Sequence, residues 1–567
     1  MRNSESSPYQ RAKNFLKRRT NYETFKAIPY DQMAQSLERV KRFLDYLGSP
    51  DRQYAIVHIA GTKGKGTTCA ALDQIWRAAG YRVGLFTSPH LDEVVERFQI
   101  NGQNCDKTLF GETTCALVEQ WKEFLVREKR SRRSKGPVLL DDPESQLTFF
   151  EWSLVIAVTL FARAKVDIAI LETGLGGRFD CTNVCDADVS VLTSVSYDHC
   201  DLLGDTIPKI AAEKLGIVKT NAPLVCGVGF SGALYAGLDD YRERLAHAIS
   251  VEKASQSRAS ERRERSARVQ TADQDATPTE TAPEPPTVSE ENATPDVPLF
   301  TVGSGVVLED YEFAVDPKTL LTRDDVATVR EMAREKAREV GAPFFSVETI
   351  SPRVAAFPTP PFDSVRRWNF EIALRVVDVL ATRDAAPTGR PGSEPGAEPR
   401  RFPVSDATIA AAAANFTLPC RFEVVSKSPL VVVDGAHNRA SVAAVMREIA
   451  ERYPGKKSKI LFATTIGKDV RGMLAELAAR ADEIVLSDRS NDVRALRLPD
   501  LIQIAETLMD ETCPEKSPVR DKFHVAPDFQ AFLSDYCVRA VKDDAVLCVL
   551  GSFYFAAKVR RIFKKNE

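Results

Sequence analysis

Residues 54–67 read Tyr54-Ala-Ile-Val-His-Ile-Ala-Gly-Thr-Lys-Gly-Lys-Gly-Thr67, and the fold is decided here. Tyr54–Ala60 is a short apolar, β-branched run of strand length. Thr67–Ala79 has helical patterning and stops at Gly80. Between them lies a turn of three glycines and two lysines, Gly61, Thr62, Lys63, Gly64, Lys65 and Gly66. Glycine turn amides and a helix N-terminus together form a cradle for phosphate. Lys65 then reaches the terminal phosphates, and the Thr67 hydroxyl faces magnesium or phosphate. A complete Walker loop has glycine five positions before the Gly-Lys pair; Ile59 stands there, which separates this loop from the GTPase kind. The bland alternative is a strand–helix turn with no ligand.

Outward from this point, apolar runs alternate with helical patterns, predicting an α/β fold with parallel sheet flanked by helices. Further strands are predicted at Val83–Thr87, Asp167–Glu172 and Val189–Ser194. A second series begins near Leu430, with strands LVVVD, KILFATT, EIVLSD and AVLCVLG and helices at Ala440–Tyr453 and Val470–Ala481. The predicted organisation is a P-loop ATPase-type domain over residues 1–417 and a smaller Rossmann-like domain over 418–567. Residues 250–298 are rich in Ser, Glu, Arg, Thr and Pro, too polar to offset their ordering entropy, and are read as a disordered insert. Residues 385–400, with repeated Pro and Gly, read as a surface loop.

With 76 basic against 79 acidic side chains, the balance does not suggest a nucleic-acid coat or a membrane-surface protein. The polar N-terminus lacks the apolar core of a signal peptide, and no apolar run approaches the roughly 20 residues of a membrane span. The 11 scattered cysteines include no CxxC pair and read as reduced thiols. The expectation is a cytoplasmic protein.

Four further segments fall at strand ends, where α/β sheets place their ligands. They are Thr87-Ser-Pro-His-Leu91, the glycine-rich segment Glu172–Asn183, Ser196-Tyr-Asp-His199 and Asp434-Gly-Ala-His-Asn438. Magnesium takes oxygen ligands, which suits Ser88 and Glu172; His199 is a less typical ligand. A lone Glu or His at a strand end is more often a hydrogen-bonded structural residue, but three of six histidines (His90, His199, His437) fall in these segments.

Taken in order, GTKGKGT, TSPHL with Glu96-Arg-Phe98, LETGLGGRFDCTN, YDH, Glu213-Lys-Leu-Gly-Ile217 and VDGAHN resemble the folylpolyglutamate synthases and dihydrofolate synthases of the Mur ligase superfamily. The resemblance covers residues 20–230 well and 360–567 more loosely, with no counterpart for about 235–325. It implies that residues 61–67 hold ATP, and that Ser88, Glu172 and His199, with Thr67, organise Mg2+. Lys214 matches a lysine that this family can carbamylate, supporting a second metal. Ser88, Pro89, His90 and Leu91 match a pterin-facing loop. Arg421, Asp434 and Ser552 match nucleotide-site positions, and Asp434 with His437 an interdomain catalytic pair; Lys65 and Lys214 join them as catalytic candidates. Two positions depart from the pattern: Cys420 replaces the usual glycine before the arginine, and Lys63 stands where the superfamily often has asparagine.

The implied reaction joins L-glutamate to dihydropteroate or a tetrahydrofolate through an acyl phosphate, in a monomer without nucleic-acid or membrane partners. Rival readings are a cell-wall Mur ligase, disfavoured because only 60 residues precede Gly61, and a nucleotide-binding regulator without catalysis.

Overall fold

The computed structural model describes residues 7–20, 30–90, 93–131, 146–196, 200–229, 323–357, 364–382, 401–416, 418–437, 439–466, 468–488, 495–512, 519–539 and 544–564. The expected disordered insert at 250–298 and the surface loop at 385–400 lie outside these residues.

The first sheet has eight strands: β1 Ala55–Ala60, β2 Val83–Phe86, β3 Phe98–Ile100, β4 Gln103–Asn104, β5 Ile168–Glu172, β6 Val189–Leu192, β7 Leu224–Cys226 and β8 Phe344–Ser346. They lie in the order β4-β3-β2-β5-β1-β6-β7-β8. All neighbouring pairs from β2 to β8 are parallel, while β2–β3 and β3–β4 are antiparallel. The second sheet contains β9 Glu423–Lys427, β10 Leu430–Val433, β11 Lys457–Phe462, β12 Glu483–Ser487, β13 Phe523–Ala526 and β14 Ala545–Leu550, in the order β13-β12-β11-β14-β10-β9. Only β9 runs antiparallel there, a hairpin partner of β10. The fold is thus α/β with two mainly parallel sheets, each carrying an antiparallel edge.

Strand β1 sits at the centre because both its faces are apolar. Val57 and Ile59 enter one core with Leu72, Ile75 and Trp76 of the helix Lys65–Ala78, and with Phe370 of the helix Ser364–Thr382. Ile56 and Tyr54 enter a second core with Phe43, Trp152 and Phe161. Each such side chain, fully buried, contributes about 1.5–3 kcal/mol. Anchored on both faces, β1 is a rigid base for the turn that follows. The predicted helix after it begins two residues earlier than its periodicity suggested, at Lys65, because Gly64 at φ +86° turns the chain directly into the first helical position. The predicted β6 stops at Leu192, so Thr193 and Ser194 belong to the loop beyond it.

Among the described residues, no helix is long and apolar enough to cross a membrane. The ten described cysteines are free thiols.

Candidate active site

The phosphate loop is built by stitching the ends of three strands. Thr173 N–H donates to Ile59 O at 3.0 Å, Thr193 N–H to Ala60 O at 2.9 Å, and Thr62 N–H to Ser194 O at 2.9 Å. Lys63 is held at both backbone ends. Its N–H donates to Ser194 Oγ at 2.9 Å, and its carbonyl accepts from Thr193 Oγ1 at 2.7 Å and Ser194 Oγ at 2.9 Å. A side chain at Gly61 would meet Thr193 Oγ1 at 2.0 Å, so this crossing is open only to glycine. At Gly64 the constraint is double: the left-handed backbone, and a Cβ position 2.2 Å from Asn369 Oδ1. Lys65 folds back so that Nζ donates to Gly61 O at 3.0 Å. Its ammonium is thereby parked over the cradle it closes.

Beside the loop, β5 ends on Glu172, which is buried at 5% exposure. Glu172 Oε2 accepts from Ser88 N–H at 3.2 Å, bringing together the loops after β2 and β5. Glu172 Oε1 lies 3.7 Å from where a Cβ on Gly66 would stand. Burial pushes the Glu172 carboxyl up, against the opposing pull of Lys65, the Ser88 amide and Arg97. A buried carboxylate facing the first turn of the phosphate helix is a site that a hard cation would relieve. Glu172, Ser88 and the half-buried Thr67 supply oxygen donors of the type magnesium takes. Among the described residues no three His, Cys, Asp or Glu side chains form a metal-holding group. His199 and Leu91 lie outside the described residues, whereas Pro89 and His90 are described. The His90 ring is fixed from behind, its Nδ1 accepting from Arg97 Nε at 2.8 Å.

Lys214 sits buried in the last turn of the helix Ile207–Leu215, which Thr206 caps. The Glu172–Asn183 segment packs directly on it: a Cβ at Gly177 would fall 2.8 Å from Lys214 O. Arg178 N–H donates to Glu213 O at 2.7 Å, and its guanidinium pairs with Glu213 at 2.7 Å. The same loop therefore carries both Glu172 and the support for Lys214.

The second sheet presents its own loop cluster. Asp434, at the end of β10, accepts from Phe422 N–H at 2.6 Å and Ala436 N–H at 2.7 Å. Burial pushes its carboxyl up, with Arg421 and those two amides pulling down. Cys420 and Phe422 are both left-handed, at φ +54° and +48°, so the arginine between them lies in a sharply bent turn. Cys420 thus keeps the conformation a glycine would adopt. The Arg421 guanidinium lies over the Phe553 ring at 5.2 Å. Gly551 N–H donates to Ala436 O at 2.8 Å, drawing the turn that bears Ser552 against the Asp434–His437 loop. His437 Nδ1 is 2.8 Å from Gly435 O. Burial lowers the His437 pKa; the Gly435 bond opposes this, and the charges of Lys468, Arg421 and Lys63 add to the lowering. The last of these comes from the phosphate loop, so the two clusters act on one another.

Sequence reading did not single out Thr193, Ser194, Asn369 or Arg366. Asn369 and Arg366 stand three residues apart on the helix Ser364–Thr382, which bridges the clusters. Asn369 meets the phosphate loop, while Arg366 pairs with Glu448 at 3.1 Å and donates to Arg421 O at 3.3 Å. Nothing local announces those two residues. The hydroxyl pair following β6 was the one available signal.

The family description "Mur ligase, glutamate ligase domain" matches residues 420–553. The dihydrofolate synthase/folylpolyglutamate synthase of Mycobacterium tuberculosis is 28% identical over 85% of this chain and 82% of its own length. The Bacillus subtilis protein of the same name is 41% identical over 34% of this chain. The chain spans only 41% of that relative's length, and 22% of a Haloferax volcanii probable bifunctional folylpolyglutamate synthase/dihydropteroate synthase. Among solved structures, M. tuberculosis folylpolyglutamate synthase complexed with ADP and AMPPCP aligns with a TM-score of 0.60 at 21% identity, covering 98% of each chain. The bifunctional enzyme of Yersinia pestis aligns at 0.58 and 23%, covering 99% of each chain.

Proposed function

We propose that the chain is a Mur-type ligase of the folylpolyglutamate synthase/dihydrofolate synthase kind, the proteins it is similar to, and that it is an ATP- and magnesium-dependent ligase joining L-glutamate to a folate-type acid. The acid is dihydropteroate, a reduced folate carrying one or more glutamates, or both. The observation that carries the reading is the convergence of a lysine-bearing phosphate cradle with the buried Glu172 and the Ser88 loop, faced by Asp434, Arg421 and His437 from the second sheet. Relatives bearing this name are known with bound nucleotide: a bifunctional folylpolyglutamate synthase/dihydrofolate synthase with Mn, AMPPNP and L-glutamate bound is one.

A carboxylate does not condense with an amine in water because hydroxide leaves poorly. Transfer of the ATP γ-phosphoryl to the carboxylate gives an acyl phosphate, and the glutamate α-amine then displaces phosphate. Phosphoryl transfer is mostly a matter of position and charge neutralisation. The loop amides and Lys65 orient and neutralise the phosphates. Ser88, Glu172 and Thr67, with His199, would hold magnesium, which would supply charge neutralisation at the transferring group. Lys214, if carbamylated, would complete the metal side. Arg421, over the Phe553 ring, and Ser552 hold the nucleotide. The neutral His437, beside Asp434, is suited to accept the proton lost by the amine. The Ser88–Leu91 loop faces the pterin.

A division at residues 417/418, with the nucleotide between the two parts, fits this scheme and excludes water from the acyl phosphate. A cytoplasmic monomer without nucleic-acid partners is the assembly we propose.

Phosphate release by the purified chain with ATP and magnesium tests the proposal directly. Release that needs both glutamate and a pterin acid is the expected result. Release with neither would leave a nucleotide-binding protein of another kind.

A further inference from the structure

A buried polar chain runs beneath the Glu172 loop, and nothing above assigns it a role. Asp180 Oδ2 accepts from the Gly174 and Leu175 N–H groups, both at 2.9 Å. Its Oδ1 accepts from Thr182 N–H at 3.0 Å and from the Thr182 hydroxyl. Four donors on two oxygens describe an ionised carboxylate that only accepts. The single proton of Thr182 is therefore committed to Asp180. Thr182 Oγ1 also lies 2.7 Å from His58 Nε2, and with its proton spent it can only accept there. His58 is thus the neutral Nε2–H tautomer, and its Nδ1 is buried with no partner. Burial drives the His58 pKa down to about 3, and Lys219 acts in the same direction, so neutrality is enforced.

The chain of contacts has two ends of consequence. His58 is in β1, three residues before Gly61. Gly174 and Leu175 lie two and three residues after Glu172, and the intervening Thr173 N–H is bonded to Ile59 O at 3.0 Å. We propose that Thr182 is a positioning residue: by joining His58 to Asp180 it fixes the Glu172–Arg178 turn against the phosphate-loop strand, and so sets where the Glu172 carboxylate meets the metal–nucleotide. This rests on the ligase reading for the identity of the ligand. Residues that orient metal ligands from behind typically govern metal affinity by about 10- to 100-fold.

The test is Mn2+ binding to the full chain, followed by electron paramagnetic resonance with and without a non-hydrolysable ATP analogue. Thr182→Val keeps the shape and removes both hydroxyl bonds; Thr182→Ser keeps them. Tyr54→Phe is the structural control, losing one buried bond to Val158 O (3.0 Å) on the same packed face. Nucleotide-dependent Mn2+ affinity is expected to fall about tenfold in T182V and to stay within about twofold of wild type in T182S and Y54F. Should T182V not fold, His58→Leu, which keeps the Thr182–Asp180 link but removes the tie to β1, should weaken Mn2+ about threefold. Wild-type affinity in T182V, or in H58L where it stands in, overturns the proposal. So does an equal loss in Y54F, which would make the network merely structural. If the wild-type chain binds no Mn2+ with nucleotide, the ligase reading falls and the proposal with it, an outcome distinct from the others.

Discussion

The two loop clusters facing the proposed nucleotide site are held in opposite ways. In the first sheet, the turn at 61–67 is tied to neighbouring strand ends by several backbone and hydroxyl bonds, and Lys63 alone takes part in three. In the second sheet, the bent Cys420–Phe422 turn and the Ala436 amide converge on one side chain, Asp434. Redundant ties make a rigid cradle that tolerates the loss of any one bond. The Asp434 carboxylate is the hub of the second cluster, whose other ties, such as Gly435 N–H to Cys420 O at 2.8 Å, leave the Phe422 and Ala436 amides to it alone. A phosphate cradle gains from being formed in advance, whereas the second cluster has only to present Arg421 and His437 to it.

The largest effect should therefore come from the hub. Asp434→Ala leaves two buried N–H groups without their acceptor, each costing about 1–3 kcal/mol. We expect stability to fall by about 2–4 kcal/mol in urea titrations and turnover by about 10³-fold. A variant with near-normal turnover would show that the turn is held by something other than Asp434.

The cradle should break only where its backbone is forced. Gly64→Ala must adopt φ +86° and push its Cβ into Asn369, 2.2 Å away. Turnover should drop roughly 10²-fold, the scale of a misplacement near 1 Å. Steady-state phosphate release checks this, and the double variant with Asn369→Ala should recover part of the loss. Absence of any recovery would assign the defect to the backbone alone.

The histidines of the two clusters offer a comparison by pH. The folded pKa of His58 is about 3, below the usual 6.5, so only the unfolded chain binds its proton between those values. The stabilisation is present above about pH 6.5 and lost as pH falls towards 3. Relative to His58→Gln, the wild type should lose on the order of 2 kcal/mol between pH 7.5 and 5, read by denaturant midpoints at each pH. His437, also lowered by burial but half-exposed, should show the same sign with smaller amplitude. Parallel curves for wild type and H58Q would contradict the buried, neutral state of His58.

How far these features could be read from the sequence follows the same division. The cradle lies within one contiguous segment whose chemistry is local, so strand, turn and helix were legible, as were Lys65 and Thr67. Glu172 and Asp434 were legible as acidic residues at strand ends. The bonds that hold them were not, because Thr193, Ser194 and Asn369 reach the loop through tertiary packing and lie 129 to 305 positions beyond Gly64. The strands missed were β3, β4, β7 and β8, of two or three residues each, and the two edge strands of the second sheet, β9 and β13, of five and four. The first four are too short to show alternation. The left-handed turn at Cys420 had one signal, the glycine usual at that position in the resembling family, since cysteine itself carries no preference for that conformation.

Redundancy in the cradle predicts a small effect at Ser194. Ser194→Ala removes its bonds to Lys63 N–H and O, yet Thr193 Oγ1 still donates to Lys63 O at 2.7 Å and Thr62 N–H still reaches the Ser194 carbonyl. Turnover should fall no more than about fivefold, near 1 kcal/mol and so the worth of one neutral hydrogen bond. A loss approaching that of Gly64→Ala would mean that the ties act as one unit, and the contrast between the two clusters would narrow.

The smallest effect should be at Cys420, where two terms oppose each other. Its left-handed backbone costs a non-glycine residue roughly 1–2 kcal/mol, which Cys420→Gly would release. Against this, glycine orders at a greater entropic cost of about 0.5–1 kcal/mol. The buried thiol, part of the core with Val433 and Phe555, would also lose its contacts. The balance should leave stability within about 1 kcal/mol of wild type and the KM for ATP within about twofold, because Asp434 still fixes the amide of Phe422. A gain well above 1 kcal/mol would mean that the cysteine is a strained substitute in the turn. A large rise in KM would instead show that thiol packing, rather than Asp434, orients Arg421.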